Sequence, residues 1–158
     1  MNPLNSPIET GVRVLMVLTS AFPDRLDLNR LVLLDHGLLH SADLGGPPSL
    51  HPPIPIRASE LGVRRAAIEY GLEVLIRADL AHAGLSANGI EYWAGERADG
   101  FIGLLDTNYA AALWARALWV VTKYQGLDEV AIRHELNAVA GHWTEEFHYP
   151  VMSSEAMW

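Results

Sequence analysis

Residues 7–22, PIETGVRVLMVLTSAF, constrain the chain most. They read as a helix with apolar residues at positions 8, 12, 15 and 16 and, by residue 18, on nearly every side. A helix that is apolar all round belongs inside a fold. Half of the 158 residues are hydrophobic, enough for a real core in one domain with an appended helical part. The run is a poor signal peptide, because Glu9 stands where a basic residue belongs and Arg13 interrupts the apolar stretch. No window approaches the roughly 18 uninterrupted apolar residues of a membrane span. The absence of cysteine excludes a disulfide framework and thiol chemistry. The expectation is a soluble, cytoplasmic protein.

Pro23 stops the first helix, Asp27 is a good N-cap, and Leu28 to His40 continues helically. In the loop 41–56, five prolines and Gly45-Gly46 forbid regular structure. A third helix covers roughly 59–78, with Ser59 as its N-cap and Leu61, Ile68, Leu72 and Leu75 in one stripe. Glu60/Arg64 and Glu73/Arg77 are i,i+4 pairs in the favoured order. The period then changes to two short β-like runs in 80–94, joined at Asn88-Gly89, a strong tight-turn signal. Three helices (9–22, 27–40, 59–78) followed by a hairpin have the order of a winged helix-turn-helix with an unusually long inter-helix loop. The predicted fold is therefore mainly α: a winged-helix-like domain over 1–95 with a β-hairpin wing, and C-terminal helices over 96–147. A helix from Glu96 is expected to run on towards Gly126, then a last one capped by Asp128 with Ile132, Leu136, Val139, Trp143 and Phe147 on one stripe. Residues 148–158 have no pattern and read as a flexible tail.

Several chemistries fail on spacing. Gly45-Gly46 lacks the Gly-Lys-Ser/Thr of a phosphate loop, and no G-x-S-x-G is present. In RHELNAVAGHW, Ala138 occupies the place of the second zinc-protease histidine. His36 and His40, one turn apart, could bind zinc or another divalent ion with His51, near Asp35 and Asp43. The alternative is that His40 closes its helix, where a histidine suits the last carbonyls, and His51 packs among prolines. Net charge is −8, and residues 127–158 hold six acids against Arg133 alone. The hairpin has no Lys or Arg, and the third helix mixes Arg64, Arg65 and Arg77 with Glu60, Glu69 and Glu73. A DNA-reading wing offers cations to phosphates, so a DNA-binding regulator is the weaker alternative. Surface made for proteins remains. Trp93 beside Tyr92 and Trp158 in the tail are candidate partner anchors, while Trp114, Trp119 and Trp143 suit the join between the two helical parts.

The chain also resembles a known family. The carrying residues are Asn5-Ser6-Pro7 with Glu9-Thr10-Gly11; Phe22-Pro23; Leu26 to Leu31; His40-Ser41 with Asp43; the loop Gly45-Gly46-Pro47-Pro48-Ser49-Leu50-His51-Pro52; and Arg57 with Glu60, Arg64 and Arg65. GIEYWAGERADGFIGLL and ALWVV match more loosely. The likeness spans most of 5–147 and is to the middle component 2 family of bacterial ABC-three-component systems. It implies a non-enzymatic adaptor, with no cofactor, between an SMC/Rad50-like ABC ATPase and an effector encoded nearby. The setting it implies is anti-phage or anti-plasmid defence. DNA would be met only through the complex, and a homodimer is possible. The stiff loop reads as a recognition loop with Ser49, Leu50 and His51 at its tip. The expected partner-binding set is Gly45, Gly46, Ser49, Leu50, His51, Arg57, Glu60, Arg64, Arg65 and Trp93.

Overall fold

The computed structural model of the chain describes residues 6–52, 58–87 and 89–139, with the side chains of 58–60 excepted. Its elements are helices α1 (Pro7–Ala21), α2 (Leu28–Leu39) and α3 (Ala58–Arg77), strands β1 (Ala81–Ser86) and β2 (Gly89–Ala94), and helices α4 (Ala98–Gly103) and α5 (Asn108–Tyr124). Residues 129–139 are helical and are called α6. The fold is mainly α with one antiparallel hairpin, in the element order expected of a winged-helix-like arrangement.

α1 is the central helix. Its start is fixed by Ser6, whose Oγ accepts from the Glu9 N–H at 3.2 Å, and by proline in the first turn. Val14, Leu15, Met16, Val17 and Leu18 are five consecutive residues, each at most 1% exposed. Such a run needs neighbours on all sides, and α2, α3, α4, α5 and β2 supply them. α1 and α3 cross closely: a Cβ on Gly71 would lie 3.3 Å from the Gly11 Cα, so a side chain there would push the helices apart. Ile8 departs from expectation, being exposed at the open end of the helix.

α2 starts at Asp27, whose Oδ1 accepts from the Arg30 N–H at 2.8 Å. It ends at His40, whose N–H bonds the His36 carbonyl. The loop that follows is not wholly irregular, as expected for 41–56. One turn of 3-10 helix, Ser41–Leu44, comes first, ahead of the prolines, and Gly45 closes it at φ 75°. Helix 96–125 is also corrected. It divides into α4 and α5 because Thr107 turns the chain and caps a new helix, accepting from the Ala110 N–H at 3.0 Å. Asp128 caps α6 as expected, accepting from the Ala131 N–H at 2.8 Å.

β1 and β2 pair in register from Ala81↔Ala94 to Ser86↔Gly89. The base of the hairpin is in the core: Ala81 and Ala94 are buried. Leu26 adds a bridge to the outer side of β2, exchanging two backbone bonds with Tyr92 at 2.8 and 2.9 Å. Leu113, Ala117, Val120 and Ile132 join the same apolar cluster as Val14, Leu33 and Ile68, so one core spans both sides of residue 95.

Candidate functional site

The apolar centre contains charge. Arg13 on α1 and Asp35 on α2 are 2% and 1% exposed. The Arg13 Nε donates to Asp35 Oδ1 at 2.8 Å and its Nη2 to Oδ2 at 3.3 Å. Arg64 of α3 donates to Asp35 Oδ2 at 3.0 Å. Glu9 lies 4.0 Å from Arg13, so two guanidiniums meet two carboxylates and the cluster is neutral. Burial alone would push the Asp35 carboxyl up, but Arg13 and Arg64 outweigh it and hold it below the usual range. Burial works against the Arg13 charge, and Asp35 more than restores it.

A second line of polar contacts runs from this cluster to the loop. Tyr109, at the start of α5, donates to Glu9 Oε1 at 2.8 Å. His51 Nε2 lies 2.8 Å from the same Tyr109 oxygen. With the phenol proton given to Glu9, His51 must be the donor, which places its proton on Nε2. Burial and the bond to Glu9 push the Tyr109 phenol up to about 12. His36, His40 and His51 stand in a row, with ring centroids 5.0 and 6.5 Å apart. Burial, then Arg64 and His40, push His36 down to about 3. Burial and Arg64 lower His40; burial and Arg13 lower His51. All three are therefore neutral imidazoles at neutral pH.

The structure brings the metal candidates His36, His40 and His51 into one row. Among the described residues, no group of three or more His, Asp or Glu is placed to hold a metal ion. The Nδ1 atoms of His36 and His40 are buried without partners, and Arg64 opposes a further cation beside them. His40 closes α2 through its backbone N–H, which bonds the His36 carbonyl.

The loop is pinned rather than projecting. Ser41 Oγ donates to the Pro47 carbonyl at 2.8 Å, and the Ala42 N–H donates to Ser49 Oγ at 3.1 Å. The Leu50 and His51 N–H groups both donate to the Leu39 carbonyl, at 3.0 and 3.2 Å. Arg116 of α5 holds the Pro48 carbonyl through Nε and Nη2, at 3.2 and 2.8 Å. Gly46 lies on the Trp119 ring, which a Cβ would enter at 2.2 Å, so only glycine fits there. Of Ser49, Leu50 and His51, expected at the tip, two turn inward: Leu50 packs against the core and His51 is buried, while Ser49 is half-exposed. Among the described loop residues, the exposed ones are Ala42, Asp43, Gly45, Pro48 and Pro52.

The other expected residues divide. Arg64 is spent on Asp35, and Arg65 donates to Asn29 Oδ1 at 2.6 Å. Trp93 is half-buried beneath Arg25, whose guanidinium carbon sits 3.9 Å from the ring centroid. Trp114 and Trp119 pack against the core from its edge, as the join reading required. Arg57, Trp143 and Trp158 lie outside the described residues, and Glu60 is placed only by its position in the first turn of α3. Sequence reading missed Glu9, Arg13, Asp35 and Tyr109 as a unit. Its available signal was one arginine and one aspartate inside otherwise apolar helices, since a buried charge requires a partner.

The arrangement binds α1, α2, α3, α5 and the loop into one body. It contains no activated nucleophile. A cavity of about 450 Å³ lies elsewhere, between the starts of α2 and α6. Its Asp27 and Asp128 are occupied as helix caps, and its Arg30 bonds the Leu127 carbonyl.

No curated protein and no solved structure matches the chain. The family model described as ABC-three component (ABC-3C) system Middle Component 2 matches residues 3–146, nearly the whole chain. With the Gly-Gly-Pro-Pro-Ser-Leu-His-Pro loop and the helices that clamp it inside that span, the chain belongs to the Middle Component 2 family of ABC-three-component systems.

Proposed function

We propose that this middle component is a non-catalytic, cytoplasmic adaptor joining an SMC/Rad50-like ABC ATPase to an effector encoded nearby, in defence against phage or plasmids. The observation that carries this reading is family membership across residues 3–146. The internal chemistry supports it: the buried charges are paired with one another and the histidines are held neutral. Such a network fixes a shape. Its most unusual product is a proline loop locked to α2 and α5, which loses little entropy when a partner binds it.

The partner surface in this reading is the outer side of that loop, through Gly45, Pro48 and Pro52. Ser49, Leu50 and His51 hold it from within, with Gly46 seated on Trp119. Arg57, Glu60, Arg64, Arg65 and Trp93 are further proposed contacts.

Replacing the exposed Pro48 and Pro52 by Asp, which leaves Leu50 and His51 in place, tests the role. The expected result is a folded chain that no longer co-purifies with the ATPase and effector encoded beside it. Retained co-purification would refute recognition by the loop.

A further inference from the structure

Among the described residues, one edge of the hairpin is closed and the other is open. Tyr92 directs its N–H and carbonyl away from β1, to Leu26. In an antiparallel ladder, the residue opposite such a position also directs its backbone outward, and the pattern alternates. The register therefore turns the N–H and carbonyl of Ala83 and Leu85 to the outer side of β1, and those of His82, Gly84 and Ser86 towards β2. Among the described residues, nothing pairs with Ala83 or Leu85 on that side. β1, AHAGLS, has no charge and no proline, the features that usually protect an edge. Leu85 is 84% exposed, and its cross-strand neighbour Ile90 is 51% exposed on the same face.

We infer that β1 pairs antiparallel with β1 of a second copy of this chain, about a two-fold axis at Gly84. That register sets Ala83 opposite Leu85 of the second copy, and Leu85 opposite its Ala83. Each pair exchanges two backbone hydrogen bonds, so all the outward groups of Ala83 and Leu85 are satisfied. The hairpins become a four-stranded sheet. On its apolar face, Ile90 and Leu85 of one copy run on into Ala83 and Tyr92 of the other, and the two-fold repeats the row. The exposed Leu85 is then covered by the second copy's alanine and flanked by aromatic and aliphatic neighbours. An uncharged strand meets its own copy without repulsion, so the edge complements itself, as a two-fold contact requires. Gly84 suits the axis because its own Trp93 covers its other side: a Cβ there would sit 2.9 Å from that ring.

Sedimentation of the free full-length chain across the micromolar range tests the inference, without any ATPase or effector. The expected result is a reversible dimer. Leu85→Lys is expected to weaken it by about tenfold or more, with an unchanged circular dichroism spectrum because residue 85 makes no core contact. Ala83→Pro, which removes one outward donor, is expected to act in the same direction. Hydrogen exchange gives a second readout: the Ala83 and Leu85 amides slow as concentration rises, while the His82 and Gly84 amides do not change. A chain that stays monomeric throughout, or a dimer that Leu85→Lys leaves intact, overturns the inference.

Discussion

Asp35→Asn is expected to lower unfolding stability by about 3–5 kcal/mol, because removing one partner of a buried pair leaves the other charge uncompensated. Arg13 has no route to solvent at 2% exposure. Thr10 Oγ1 at 3.4 Å and Glu9 at 4.0 Å are both too distant to replace a carboxylate. An asparagine conserves the volume of the site, so the loss reads charge and not packing. The companion double variant separates the pair from its worth. Arg13→Met with Asp35→Leu removes both charges and is expected to restore stability to within about 1–2 kcal/mol of the parent, since apolar replacement of buried pairs is often neutral. Urea titration of the three proteins measures this. Equal losses for single and double variants would mean that packing, and not charge, dominates the site.

The chain is also expected to lose stability on mild acidification. His36 is held at about 3 against an ordinary value of 6.5, so the folded state refuses a proton that the unfolded chain accepts. Its contribution is complete above pH 6.5 and declines as pH falls from there towards about 3, by about 1.4 kcal/mol per unit. At about pH 5 the expected loss from His36 is about 2 kcal/mol relative to about pH 7.5. His40 and His51, both lowered, add to it in the same direction. Asp35 acts differently: its carboxyl lies below the usual range, so its contribution is lost only as pH falls through that depressed value. Loss between pH 6.5 and pH 5 thus belongs to the histidines. Urea unfolding of the parent and of His36→Phe at both pH values tests it. The variant should show a clearly shallower pH dependence; an identical slope would contradict a neutral buried His36.

What was legible in the sequence was local. Five consecutive buried residues in α1 follow from its lack of a polar face, and Asp27, Asp128 and the turn before Gly89 mark their elements by side-chain chemistry within three or four residues. What was not legible depends on distant partners. His51 turns inward because Tyr109, 58 residues on, meets it, and Pro48 is held by Arg116, 68 residues on. Arg13 and Asp35 are 22 residues apart; the first registered only as a break in an apolar run and the second as a neighbour of the histidines, not as a pair. The break between α4 and α5 was missed for a smaller reason. Thr107 is a capping residue inside a stretch whose composition otherwise continues a helix.

The adaptor account rests on one requirement: the ATPase and the effector meet through this chain. Affinity capture of the neighbouring ATPase, with and without this protein, tests that most directly. The account predicts that the effector is retained on the ATPase only when this chain is present, and that all three then elute together. Effector retained equally well in its absence would contradict the adaptor role.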